Sequence, residues 1–313
     1  MEELSAEIGT MQDLCAIARA LGIAYSDDSA PTEGFTSSNG ARLHWVDWGH
    51  ADRPTLLFLH GAALSARTWD LICLALRADY HCMALDQRGH GLSDGVFSFG
   101  VEEPRQDIRG VVQALGLKGP DLVGLSVGGN TTIAYAGRYT DEMAAAVFVD
   151  ICPTVLPAAY PLAAAHDAAI ARSRTFDAAV ETAHRINPRG SKAYKRYTLS
   201  YSLEEFADGF WHLRYEREKP AQLSADKVAA HLARRRELLW SYVPLIKCPS
   251  LVVHGADSVA QSLENLERFR AQLPNPSIVQ IPNSSHDVQE DEPKALAQAI
   301  GAFLKRVLRS EAA

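Results

Sequence analysis

No stretch of this 313-residue chain is long and apolar enough to cross a bilayer. Its longest apolar run, around residues 144–149, falls far short of the roughly 20 residues a spanning helix needs. Cysteine is scarce. Cys15, Cys73, Cys82, Cys152 and Cys248 make an odd number with no C-x-x-C pair, which argues against a disulfide framework and for a reducing compartment. The opening Met1-Glu2-Glu3 is acidic and no apolar signal core follows it, so a cytoplasmic protein is expected. A basic surplus is missing as well. Lys and Arg number 31 against 38 Asp and Glu, a formal net charge of −7, so neither a nucleic acid nor a membrane is an expected partner. The short run Arg234-Arg235-Arg236 reads as the solvated face of a helix. Repeats and low-complexity segments are absent. What remains, 47% hydrophobic and 22% charged, is ample for one large soluble core.

The chain opens on a helical pattern over 1–21, where Leu4, Ile8, Met11, Leu14, Ile17 and Leu21 recur at three- and four-residue steps and Gly22 supplies a stop. Packing against the body is the simpler use of that face; a lid or homodimer contact is the alternative. A turn-rich linker is expected over 26–34. Strands then alternate with helices: strand 42–48, strand 55–59, helix 66–77, strand 82–85, helix 102–115, strand 122–125, helix 127–139, strand 145–149. Most of these strands are short and continuously apolar, the mark of a parallel sheet covered on both faces. Right-handed crossovers put the C-terminal ends of such strands along one edge, where ligands bind. The alternation stops near Pro153 and resumes with strand 250–253, helix 262–272, strand 277–281 and helix 293–308. The reading is an α/β fold in three parts. Residues 1–34 form a helical extension and linker, 35–153 and 244–313 a core, and 154–243 a helical cap after the sixth strand, with no strand expected inside it.

The strongest chemical signal is Gly124-Leu125-Ser126-Val127-Gly128-Gly129, which follows an apolar strand and opens a helix. The tight turn exposes the Ser126 hydroxyl, and the helix N-terminus behind it favours developing negative charge. A serine needs a base. His286 lies in the loop between the last strand and the last helix, at the same edge; no histidine shows metal-ligand spacing, and neither metal nor cofactor is expected. Two aspartates could orient the base. Asp150 ends the strand 145–149 and is preferred, because an acid terminating an apolar run is expensive without a task. Asp257, in a polar loop after strand 250–253, is the alternate. Backbone amides of Val127 and of Ala62, in His60-Gly61-Ala62-Ala63, are the candidate oxyanion donors, with His60 bracing that loop.

Taken in order, His60-Gly61, Asp86-Gln87-Arg88-Gly89-His90-Gly91-Leu92-Ser93, the glycine-flanked Ser126, and His286 followed by Glu290 and Pro293 resemble the α/β-hydrolase fold superfamily, in its capped serine esterase and lactonase form. The resemblance spans roughly residues 35–310. It implies a mostly parallel sheet flanked by helices, Ser126 as nucleophile, His286 as base, Ala62 and Val127 as oxyanion donors, and a structural role for the Asp86–containing turn. Many members carry the acid three residues after the glycine that follows the seventh strand; that position is Ser258 here. A minority of esterases and lactonases place it at the end of the sixth strand, as Asp150 would be. A serine at 126 argues against the dehalogenases and epoxide hydrolases of the superfamily, which use an aspartate nucleophile.

The expected activity is cleavage of a carboxylic ester or lactone of a hydrophobic small molecule. Hydrolysis of a carbon–carbon bond in a β-diketone or dienoate, and a slow-turnover ligand receptor, are the alternatives. Trp69, Phe206, Phe210, Trp211 and Tyr215 are the candidate substrate-binding aromatics, with the insertion's own core as the competing reading for them.

Overall fold

A computed structural model describes residues 9–97, 100–155, 169–170, 173–214, 225–274 and 276–311. Its main sheet has eight strands: β1 (Thr32–Ser38), β2 (Ala41–Asp47), β3 (Thr55–Leu59), β4 (His81–Leu85), β5 (Asp121–Leu125), β6 (Ala146–Val149), β9 (Ser250–Gly255) and β10 (Ser277–Ile281), in the order β1-β2-β4-β3-β5-β6-β9-β10. Only β2 runs against its neighbours, pairing antiparallel with both β1 and β4. The other pairs are parallel.

The two-residue period of the strands splits the core. In β3, Leu56 and Phe58 point into one cluster and Leu57 and Leu59 into the other. The first cluster is covered by α1 (Met11–Ala20), α2 (Asp70–Leu76) and α10 (Pro293–Glu311). The second is covered by α3 (Glu102–Ala114), α4 (Val127–Tyr139) and α8 (Leu263–Gln272).

Helix α1 starts at Met11, where Thr10 and Asp13 form a reciprocal capping box; Leu4 and Ile8 lie outside the described residues. Its buried residues Leu14, Cys15, Ile17 and Ala18 leave only Ala16 and Ala20 as exposed apolar positions, so this face is spent on the body. The linker expected over 26–34 is shorter than that, because β1 begins at Thr32. The polar sequence TEGFTSS hides it: as the edge strand it is largely exposed and has no apolar run to announce it.

Between β6 and β9 lies the insertion, with α5 (Phe176–Ile186), α6 (Lys192–Ser202), β7 (Leu203–Glu205), β8 (Trp211–Leu213) and α7 (Ala225–Tyr242). The expectation of no strand there is corrected, since β7 and β8 form a two-stranded antiparallel hairpin. Three residues per strand are too few for an alternating pattern to register. The far end of α7 belongs to the body, where Leu239 and Val243 join the second cluster. All five cysteines are buried and free. Among the described residues no helix is long and apolar enough to cross a membrane, and no group of acidic, histidine and cysteine side chains could hold a metal ion.

Candidate active site

β5 ends at Leu125 and α4 begins at Val127, so a single residue, Ser126, makes the whole turn. It does so at φ 50° and ψ −113°, a region that costs a non-glycine residue roughly 1–3 kcal/mol. The flanking glycines make that turn fit. A Cβ on Gly128 would sit 2.3 Å from the Leu59 carbonyl oxygen, and one on Gly124 2.3 Å from Thr132 Oγ1. The Ser126 amide donates to the Val149 carbonyl at 3.3 Å, tying Ser126 to the last residue of β6, just before Asp150.

Asp150 is fully buried and has a positive φ of 45°. Its carboxylate accepts four hydrogen bonds. Oδ1 receives His254 Nδ1 at 3.0 Å and the Gly255 amide at 3.1 Å; Oδ2 receives Ser258 Oγ at 2.6 Å and His286 Nδ1 at 2.6 Å. Burial alone would push the Asp150 carboxyl up. The hydrogen bonds from His254, His286 and Ser258 and the His286 charge outweigh it and hold the group at about 2. For His286 burial pulls down, while the Asp150 hydrogen bond and charge, helped by Asp287, leave the imidazole above its ordinary 6.5. An ionised Asp150 can only accept, so Nδ1 of His286 carries its proton and Nε2 of the neutral ring is left to accept another. Among the described residues no hydrogen bond joins the Ser126 hydroxyl to the ring. In unliganded sites such contacts are commonly long and close when substrate binds.

Asp257, the alternate acid, is elsewhere: half exposed, its Oδ2 is 3.2 Å from Arg189. Ser258, at the position where the resemblance puts the commoner acid, donates to Asp150 instead. His254 was not singled out from the sequence, and Ser258 was noted only as the residue at the commoner acid position. Their one signal is their place at and just past the end of β9, the strand that pairs directly with β6.

The loop expected to supply an oxyanion donor follows β3. The amides of Ala62 and Val127 donate no loop or turn backbone hydrogen bond among the described residues. His60 is buried and braces the loop. It donates from Nδ1 to the Gly61 carbonyl at 2.7 Å and accepts at Nε2 from the Gln87 amide at 3.0 Å. Burial depresses its pKa against the opposing charge of Asp86, which keeps the ring neutral for that double role. Asp86 accepts from the amides of Ala66 at 2.6 Å and Leu92 at 2.9 Å and from His44 Nδ1 at 2.8 Å, a structural pin for the turn after β4. An apolar cavity bordered by Val127, Leu43, Leu85, Phe97 and Ile108 lies beside α4.

The expected substrate-binding aromatics are not gathered there. Trp69 is a correction: it is wholly buried, packed on Phe58 at 5.3 Å in the first core cluster. Trp211 packs on Phe176 at 5.3 Å within the insertion's own small cluster. Phe206 stacks on His212 at 4.6 Å, and Phe210 lies under Arg174 at 4.8 Å. Tyr215 lies outside the described residues.

Strand order, a half-buried serine on a strained turn and a buried Asp150 bonded to the half-buried His286 at the same sheet edge define a class of protein, and comparison with known proteins agrees. A model of the alpha/beta hydrolase family matches residues 56–299, more than half of the chain, and the chain belongs to that family. It is similar to a bifunctional esterase/perhydrolase, DCH, of Acinetobacter calcoaceticus, 35% identical over 124 residues. That match covers 39% of this chain and 45% of the relative, so it spans less than half of that protein. An esterase of Mycobacterium tuberculosis is 26% identical over 270 residues, 82% of this chain and 84% of its own. Among solved structures, the E-2-(acetamidomethylene)succinate hydrolase superposes with a TM-score of 0.73 at 22% identity. The superposition covers 88% of this chain and 99% of the other, a likeness of fold.

Proposed function

We propose that this chain is a serine hydrolase that cleaves a carboxylic ester or lactone of a hydrophobic small molecule through an acyl-enzyme on Ser126. The observation that carries the reading is the 2.6 Å hydrogen bond between His286 Nδ1 and Asp150 Oδ2, at the sheet edge where Ser126 is held on its turn. In this reading His286 Nε2 takes the Ser126 proton as Oγ attacks the carbonyl carbon. The amides of Ala62 and Val127 hold the oxyanion. His286 then protonates the leaving alkoxide and activates water against the acyl-enzyme, which restores the serine. Kinship with esterases supports an ester as substrate.

The test is labelling with a fluorophosphonate followed by kinetics on p-nitrophenyl esters and lactones of graded chain length. Wild type is expected to be labelled at Ser126 and to prefer apolar acyl groups. Ser126→Ala should lose labelling and lower kcat on the order of 10⁵-fold with the fold intact. An unlabelled wild type overturns the reading. Cleavage of a β-diketone or dienoate in preference to every ester would move the assignment to carbon–carbon bond hydrolysis.

A further inference from the structure

The insertion is fastened to the loop that carries His286. Asn187, which closes α5, donates from Nδ2 to Asp291 Oδ1 at 2.9 Å. The other oxygen of the nearly buried Asp291, in the single-turn helix α9 (Val288–Asp291), accepts from the Ser285 amide at 2.7 Å and from the Ser285 hydroxyl at 2.6 Å. Ser285 is the residue before His286. A parallel tie runs from α6, where Thr198 Oγ1 and Lys195 Nζ reach the Glu290 carboxylate at 2.8 and 3.4 Å.

The ring of His286 swings on two side-chain torsions, whereas its partner Asp150 is locked by three further donors. The direction of the Nδ1–H bond is therefore set by the backbone that enters at Ser285. Both donors of Ser285, its amide and its hydroxyl, end on one carboxylate oxygen, and the insertion holds that carboxylate's other oxygen. We propose that Asn187, acting through Asp291 and Ser285, is a positioning residue for His286, so that the insertion aims the base. This rests on His286 being the base.

The test compares wild type, Asn187→Ala, the isosteric Asn187→Asp, His286→Ala, and Lys192→Ala as a control at an exposed pair on the same insertion. Three readouts are taken: kcat and KM on one p-nitrophenyl ester, fluorophosphonate labelling rate, and the far-downfield proton resonance of the hydrogen bond from His286 Nδ1 to Asp150. Melting curves identify any variant that fails to fold, in which case the other Asn187 variant is read. The expected result for Asn187→Asp is a kcat and labelling rate lowered roughly ten- to a hundred-fold, KM within about two-fold, and a shifted or lost resonance. Lys192→Ala should match wild type. Unchanged kcat and resonance in both Asn187 variants, or a raised KM at constant kcat, overturns the positioning role. The underlying reading fails separately, if His286→Ala labels as fast as wild type.

Discussion

Asp150, one residue past the end of β6, holds four donors on one buried carboxylate, and its charge follows from them. Asp150→Asn is expected to lower kcat about 10³- to 10⁴-fold, since the ring loses the partner that fixes its tautomer. The pH profile gives a second check. His286 works as a base only when unprotonated, and Asp150 raises its pKa. The acidic limb of kcat/KM in wild type should therefore have its midpoint above 6.5, and in Asp150→Asn it should move to lower pH. Asp257→Asn should leave kcat within about two-fold, because that carboxylate faces Arg189. Trp69→Ala separates core from pocket at this scale. A buried aromatic removed from beneath β3 should lower stability by about 3–5 kcal/mol, read from denaturant midpoints.

At the scale of elements, the strand–serine–helix turn is the least forgiving piece. Gly128→Ala places a methyl group against the Leu59 carbonyl, the end of the strand that leads into the oxyanion loop. The backbone must shift, at a cost of about 1–3 kcal/mol, and fluorophosphonate labelling should drop far more than stability does. This turn was also the most legible element. β3, β4, β5 and β6 are buried on both faces, so beyond a polar first residue in β3, β4 and β5 their sequences are apolar, and a serine between such a strand and a helix has few other uses. β1 and the β7–β8 hairpin were illegible because partial exposure or brevity erases periodicity. Trp69 was misread for a related reason. The segment from Ala66 to Leu76 is buried almost all round, so no polar face remained to show which side pointed inward. The bonds of His254 and Ser258 to Asp150 escaped notice because they depend on β9 pairing beside β6, a contact across a hundred residues.

For the molecule as a whole, acid should strip one identifiable contribution to stability. The Asp150 carboxyl is at about 2 in the folded chain against an ordinary 3.8. A carboxyl depressed on folding stabilises fully above its unfolded value. Its contribution, about 2 kcal/mol, should be present above pH 4 and fade as pH falls toward 2. Chemical denaturation of wild type and Asp150→Asn across that range should converge at the acid end. Divergence that grows with acidity would contradict the sign.

The sheet order has a consequence for synthesis. Ser126 and the oxyanion amides lie in the first half of the chain, while β9 and β10, which bring every side chain that bonds to Asp150, come after the insertion. Roughly 160 residues separate Ser126 from His286, on the order of ten to thirty seconds of ribosomal elongation. On the proposed mechanism a nascent chain carries its nucleophile without a base throughout that interval. Reactivity then begins only when the last strand docks, so a chain stalled within the insertion is chemically silent.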